Sequence, residues 1–288
     1  MLRTFCALWV VFAALACAPA ESTVAAGPAP QRIVALTVGA ADCLALLGAL
    51  DRVVAVEADC FVPGTETKVK IRNDDHAGPS RALNVEAVLA LAPDLIIAKE
   101  DLQPALEGRG VRVLWVSRKS DLVTVVPFLR DLGRELGLET QAEQAIEAME
   151  TRRKRIADIV KDLAPVSVYF EAGRPGRTAG QGTVIDEMIS LAGGVNIAGD
   201  MHLANPVLSS EAIVAADPEV IVLSPWSDNP EAIRARPGWA GIRAVREGRI
   251  HQVPEQNRKV QYPSPSCVQG CESMLLPWLH PEAGADAE

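Results

Sequence analysis

The chain has 288 residues, 28 of them basic and 37 acidic, for a formal charge of −9. An acidic balance of that size excludes a broad nucleic-acid-binding surface, and past the N-terminus no stretch is apolar enough to span a membrane. Arg3 supplies a short positive region, Thr4–Ala16 is apolar but shorter than a transmembrane helix requires, and small residues follow. This is the pattern of a secretory signal over residues 1–16. Ala14-Leu15-Ala16-Cys17 reads as a lipoprotein processing box, making Cys17 the expected lipidation site and a lipid anchor the expected membrane attachment. Plain cleavage after Ala18, Ala20 or Ala26 is the alternative. Either way the mature protein is expected to be periplasmic or extracytoplasmic, with residues 17–31, rich in Ala and Pro, as a flexible tether. Roughly 270 residues then remain, enough for one large or two medium domains.

Arg32–Leu36, Val53–Val56, Leu95–Ala98 and Val111–Val116 read as strands of a first lobe, separated by helical stretches such as Ala41–Leu47. Inside this lobe Ala82–Ile97 is matched at one constant offset by Val207–Val222, with identities at Leu83/Leu208, Glu86/Glu211, Ala87/Ala212, Ala90/Ala215 and Pro93/Pro218. One supersecondary unit therefore occurs twice. In each copy Asn84 or Ser209 caps a short helix, and Pro93 or Pro218 stops it before an apolar strand. Glu86 and Glu211 occupy equivalent first turns. A carboxylate there also suits the helix dipole, by about 0.3–1 kcal/mol, and that alone accounts for its presence.

From Thr140 to Leu163 the chain runs without Gly or Pro, and Ala142, Ile146, Met149, Ile156, Val160 and Leu163 lie on an approximate helical stripe. Its position between the repeat copies predicts a rigid spacer. Val166–Phe170, Val220–Leu223 and Ile250–Val253 are strands of a second lobe, with Thr183–Ala192 and Cys267–Leu279 as helices. The predicted fold is α/β: two Rossmann-like lobes with central parallel sheets (residues 32–139 and 164–283), joined by a long backbone helix over 140–163. Parallel sheets bind at their strand carboxyl ends, so two facing lobes make a ligand cleft.

Cys43, Cys60, Cys267 and Cys271 remain beyond the signal and its boundary. An even count in an oxidising compartment allows two disulfides, with three pairings. Cys267 with Cys271 is disfavoured, because residues four apart on a helix hold their β-carbons about 5–6 Å apart against the ~3.5–4.5 Å of a disulfide. No paired CxxC or His-rich run marks a metal site, and GxSxG, Walker, GxGxxG and HExxH motifs are missing from the sequence. Neither a catalytic residue nor a cofactor is expected.

Taken in order, Arg32-Ile33-Val34-Ala35-Leu36, Asn84–Ile96, Thr178–Glu187, Arg236-Pro237-Gly238-Trp239, Val245–Ile250 and Pro263-Ser264-Pro265 resemble the exported substrate-binding proteins of ATP-driven importers for cobalamin, iron–siderophores and haem. The similarity runs from Arg32 to about Pro281. It implies a periplasmic-binding domain over 32–283 that makes and breaks no bond, with a corrinoid as cargo or, alternatively, a ferric siderophore or haem. It also implies an ABC permease dimer with its ATPase subunits as partner, docked by Glu86 and Glu211. A thiol-based metal-binding protein is the alternative from another class.

By topology the expected cleft residues are Thr37, Asp59, Cys60, Phe61 and Glu100 of the first lobe, and Gly180, Gly182, Trp226, Arg258, Tyr262 and Ser266 of the second. Phe61, Trp226 and Tyr262 offer flat surfaces to a macrocycle, whereas Trp115, inside a strand, reads as core. Arg174 and Arg177 are candidates for meeting an anionic ligand. Tyr262, His76, His202 and His251 are the candidate haem ligands, with no spacing that singles one out. Many relatives follow Pro-x-Pro with Arg at the cleft edge; Ser266 stands there in this chain.

Overall fold

A computed structural model describes residues 28–72, 83–117 and 121–283. The signal, Cys17, tether residues 17–27, His76 and Ala82 lie outside the described residues, as does the side chain of Arg258.

Two all-parallel sheets form the frame. The first contains β1 (Ile33–Ala35), β2 (Val53–Glu57), β3 (Val69–Ile71), β4 (Leu95–Lys99) and β5 (Arg112–Val116) in the order β3-β2-β1-β4-β5. The second contains β6 (Val166–Glu171), β7 (Gly194–Asn196), β8 (Val220–Leu223) and β9 (Ile250–Gln252) in the order β7-β6-β8-β9. Helices α1 (Val38–Leu46), α2 (Val85–Leu89), α3 (Gln103–Leu106) and α4 (Val125–Leu136) accompany the first sheet. Helix α5 (Glu139–Val160) leads to the second, which carries α6 (Val184–Leu191), α7 (Ser210–Ala216), α8 (Pro230–Arg234), α9 (Arg243–Arg246), α10 (Pro265–Gly270) and α11 (Leu276–Leu279). Central strands β4 and β8 are buried almost throughout, which is why they read as unbroken apolar runs.

The expected strands and spacer are present within a few residues, α5 with 22 residues and a length of about 33 Å. Edge strands β3 and β7 went unpredicted, for neither carries an apolar run. Helix α4 was hidden by its internal Gly133, yet that glycine is what lets α4 close on α5: a Cβ there would stand 2.7 Å from the Cβ of Ala142. The last helix is present as expected and runs without a gap over Pro265–Leu279: a wide π-type turn, Cys271–Leu275, joins α10 to α11, just before Pro277, which has no N–H to donate back into the preceding turn.

Cores differ by face. One apolar cluster is shared by both lobes: Ile33, Cys43 and Ile97 from the first sheet's side join Val168, Met188, Cys267 and Leu276 from the second, with Ala142, Ile146, Met149 and Ile156 of α5 in the same cluster. The outer faces have their own cores, around Ile96 and Val34 in one lobe and around Tyr169 and Trp239 in the other. Trp115 packs against the first of these.

The repeat is one of backbone as well as of sequence. Asn84 Oδ1 accepts from Ala87 N at 3.0 Å and Ser209 Oγ from Ala212 N at 3.2 Å. Each unit then passes through a non-glycine residue with positive φ directly before the proline, Ala92 at 46° and Asp217 at 44°. Two residues on, Asp94 accepts from the Arg32 N–H at 3.0 Å and Glu219 from the Ser167 N–H at 2.9 Å, tying each unit to the strand beside it.

Candidate functional site

In a parallel sheet the crevice opens outside the strand carboxyl ends where the strand order reverses. In the first sheet that point lies between β1 and β4, so Thr37, directly after Leu36, and Glu100, directly after Lys99, flank it. Between β6 and β8 of the second sheet, Gly173 and Trp226 flank the corresponding point. Thr37 also caps α1, its Oγ1 accepting from Ala40 N at 3.1 Å. Trp226 is half exposed, and its loop is pinned by serines: Ser227 Oγ accepts from Gly173 N at 3.0 Å and donates to Glu171 O at 2.8 Å, with Ser224 Oγ 3.0 Å away. A Cβ at Gly173, where φ is +81°, would stand 3.5 Å from Trp226 Cβ. That is ordinary van der Waals contact, so what favours glycine there is the positive φ and not the tryptophan's closeness.

Other predicted residues meet across the lobes. The Phe61 and Tyr262 rings, one from each lobe, lie 5.8 Å apart with a 41° tilt. Asp59 is exposed beside them in sequence, its N–H donating to Glu57 Oε2 at 3.0 Å. Cys60 turns inward; it is 6 % exposed, its sulfur 3.7 Å from Thr65 Oγ1, and burial pushes its thiol pKa up. Gly180 is buried under the carbonyls of Met201 and Leu203, while Gly182, at φ +70°, is exposed. Ser266 lies buried in the first turn of α10. Of the other candidates, Arg177 places Nη2 3.3 Å from Asn205 Oδ1, Arg174 and His202 are exposed, and His251 stacks on Trp278 with ring centroids 5.0 Å apart.

Beneath these residues the lobes touch directly. A Cβ on Gly39 would fall 2.5 Å from the Pro263 carbonyl oxygen, so the start of α1 and the loop before α10 are in backbone contact. Leu122 N donates to Glu187 Oε2 at 2.6 Å, another crossing. Cys43, Cys267 and Cys271 are free thiols at 0 % exposure in the shared core, and burial pushes the Cys267 thiol up to about 12. None of the four described cysteines is paired, so neither permitted disulfide is formed. Asp42, next to Cys43, is 7 % exposed, and its Oδ2 has no hydrogen-bond partner among the described residues.

Sequence reasoning missed the Gly39–Pro263 contact, the serine network and a buried ion pair in the second lobe. In that pair Glu171, wholly buried, accepts from Arg236 Nη1 and Nη2 at 2.6 and 2.7 Å and from Tyr169 Oη at 3.0 Å. Arg236 also reaches Asp228 at 2.9 Å and lies 4.8 Å over the Trp239 ring. The Arg236-Pro237-Gly238-Trp239 string was the available signal, without its partner.

Glu86 and Glu211 are exposed at equivalent places. The Glu86 carboxylate stands 3.7 Å from Arg109. Among the described residues no cation pairs with Glu211, whose carboxyl is held below its ordinary pKa by its own N–H and the Ser209 hydroxyl.

Comparison with known proteins places this geometry. Residues 33–257 match the family described as periplasmic binding protein. A cobalamin-binding protein of Halobacterium salinarum is 33% identical over 212 residues, covering 70% of this chain and 56% of its own length, so the chain spans just over half of that relative. An uncharacterized ABC transporter substrate-binding lipoprotein of Bacillus subtilis is 28% identical over 257 residues, covering 85% of this chain and 79% of its own. Among solved structures, a periplasmic heme-binding protein from Pseudomonas aeruginosa superposes with a TM-score of 0.73 at 29% identity, covering 88% of this chain and 94% of that one.

Proposed function

The chain belongs to the periplasmic binding protein family, and from that premise we propose that it is the extracytoplasmic substrate-binding component of an ABC importer, capturing a corrinoid between its lobes for a membrane permease. The observation that carries the reading is a switch-point crevice in each sheet, with Phe61 and Tyr262 meeting across the lobes and Trp226 half exposed as aromatic surfaces. A macrocycle with flat apolar faces and a polar periphery suits such a site. Likeness to the archaeal cobalamin-binding protein supports the cargo. Thr37, Asp59 and Glu100 on one lobe, and Gly182, Arg258 and Tyr262 on the other, are its proposed contacts, with Gly180, Ser266 and Cys60 supporting them from beneath. The bacterial lipoprotein relative supports Cys17 as the anchor.

The test is titration of the mature protein with cobalamin, haemin and ferric siderophores, following tryptophan quenching and the visible spectrum. Saturable one-to-one binding of cobalamin alone is the expected result. Preference for haemin refutes the cargo and keeps the carrier; likeness to the heme-binding structure makes this the second reading, with Tyr262 as the iron-side residue to test. A thiol-based metal function has less support, because all four described thiols are buried and raised in pKa. On the carrier reading, Glu86→Ala with Glu211→Ala lowers permease-stimulated uptake while leaving cobalamin affinity unchanged, since rim charges fix encounter and register.

A further inference from the structure

A depression of about 200 Å³ lies on the second lobe, walled by Pro175, Gly176, Leu208, Ser210, Ile213 and the Arg236–Trp239 turn. Ser210 precedes Glu211, so the depression and the carboxylate assigned to docking share the first turn of α7. Its polar lining is already engaged. Arg236 is held by Glu171 and Asp228, and Ser210 Oγ accepts from the Trp239 indole N–H at 2.7 Å. What remains for a visitor is apolar: the exposed Pro175 and Pro237 and the part-buried Leu208, over a floor of Ile213 and the indole, which are themselves buried. At ~30 Å³ per water, the volume matches several waters with few hydrogen-bond partners, which an apolar group displaces favourably.

The walls are rigid. Leu208 N donates to Gly176 O at 2.9 Å, and Thr178 N to Pro206 O at 2.9 Å, so the segment before α7 runs antiparallel along the loop after β6. Gly176 sits at φ +78°, and a Cβ there would fall 2.3 Å from Leu208 O. Val207, whose Cγ1 lies 3.5 Å from where a Cβ on Gly176 would stand, is 73% exposed, and Leu203, four residues earlier, is 67% exposed. An apolar, preformed recess on the same helix end as a carboxylate that has no cation partner among the described residues has the makings of an interface anchor: a seat for one apolar side chain near a charge.

We propose that this recess receives an apolar side chain from the permease, carried on the loop whose arginine meets Glu211. The second lobe is thereby the stronger of the two docking handles, since Glu86 already has Arg109 as a partner. The inference rests on the carrier reading. It is tested by binding the mature protein to its permease–ATPase complex in lipid nanodiscs, using Val207→Trp to add bulk beside Gly176, Leu208→Ala to remove one wall, and Glu86→Ala and Glu211→Ala as references. Val207→Trp and Leu208→Ala are each expected to weaken docking about ten-fold, the loss of one moderate anchor contact, with thermal midpoints near wild type. A benzophenone side chain at position 207 is expected to crosslink to a permease peptide containing an arginine beside a large apolar residue. If Val207→Trp binds like wild type while Glu211→Ala does not, the recess is refuted and the carrier stands. Should the Glu86→Ala and Glu211→Ala variants also bind like wild type, the docking assignment falls with it. Should Leu208→Ala unfold, the exposed position 207 still decides.

Discussion

Arg236→Ala is predicted to be among the most destabilising single substitutions in the second lobe. Glu171 is wholly buried, and among the described residues its side-chain donors are the Arg236 guanidinium, twice, and the Tyr169 hydroxyl. Burial alone would push the Arg236 guanidinium down in pKa, yet hydrogen bonds to Glu171 and Asp228 reverse this and raise it. Removing one side of such a pair strands a carboxylate in the lobe core, at a cost of about 3–5 kcal/mol. Lost contact with the Trp239 face adds about 0.5–1 kcal/mol. The half-exposed Asp228 contact adds little. At about 2–4 °C per kcal/mol for a chain of this size, the melting midpoint should fall by roughly 7–24 °C.

Differential scanning calorimetry of the mature protein reads the shift directly. The control is Glu171→Leu with Arg236→Met, which exchanges the charges for apolar groups and should recover most of the loss, since the Tyr169 hydroxyl keeps its hydrogen bond with the Gly176 backbone. A midpoint within about 2 °C of wild type for Arg236→Ala would refute the reasoning. A double variant no better than the single one would refute it as well, assigning the damage to packing instead of the stranded charge.

Gly39→Ala drives a methyl against the Pro263 carbonyl, 2.5 Å from the added Cβ; a loss of about 1–3 kcal/mol in thermal stability and weaker cobalamin binding are expected, and an unchanged melt contradicts the contact. Cys43, Cys267 and Cys271, buried and raised in pKa, should resist iodoacetamide at pH 8 in the native protein and react fully in guanidinium, as peptide mass spectrometry will show; rapid native labelling of Cys267 counts against the shared core. His251 is held below its ordinary pKa by burial and then by Arg249, so its neutral form is favoured in the folded state while the unfolded chain takes up a proton near pH ~6.5. Its contribution is thus complete above that pH and lost as pH falls through the lower folded value, and stability measured from pH 7.5 to 5 should decline less steeply in His251→Gln.

Periodicity made the central frame legible. β4 and β8 are continuous apolar runs because each is covered on both faces, and the repeat alone puts Glu86 and Glu211 at matching positions. Edge strands escaped because Val69-Lys70-Ile71 and Gly194-Val195-Asn196 are held by one neighbour only and need no apolar alternation. The positive φ of Ala92 was hidden as well, since alanine does not advertise it, although aspartate at 217 is a residue type that tolerates it; in both it accompanies the turn into the proline and the next strand. Within the candidate site, Thr37, Glu100 and Trp226 followed from topology, whereas the approach of Gly39 to Pro263 joins positions far apart in sequence and depends on how the lobes are set against each other. The inward turn of Cys60 is equally non-local, since its neighbours Asp59 and Phe61 stay at the surface.

The shared core constrains how such a carrier works. In a hinge whose lobes meet only through flexible strands, opening costs little because no packed surface is parted. Here Cys43 and Cys267 lie in one apolar cluster, Gly39 abuts Pro263, Phe61 approaches Tyr262, and α5 contributes Ile146 and Met149 to the same cluster. Wide opening would return those side chains to water at about 25 cal/mol per Å². Small rearrangements of the crevice loops leave them buried. On the proposed function, ligand capture therefore proceeds with little change in the angle between lobes, and release requires an external force applied to both. Carboxylates at equivalent places on the two lobes suit that purpose: a partner gripping Glu86 and Glu211 together can spread the crevice against the resistance of the core beneath it.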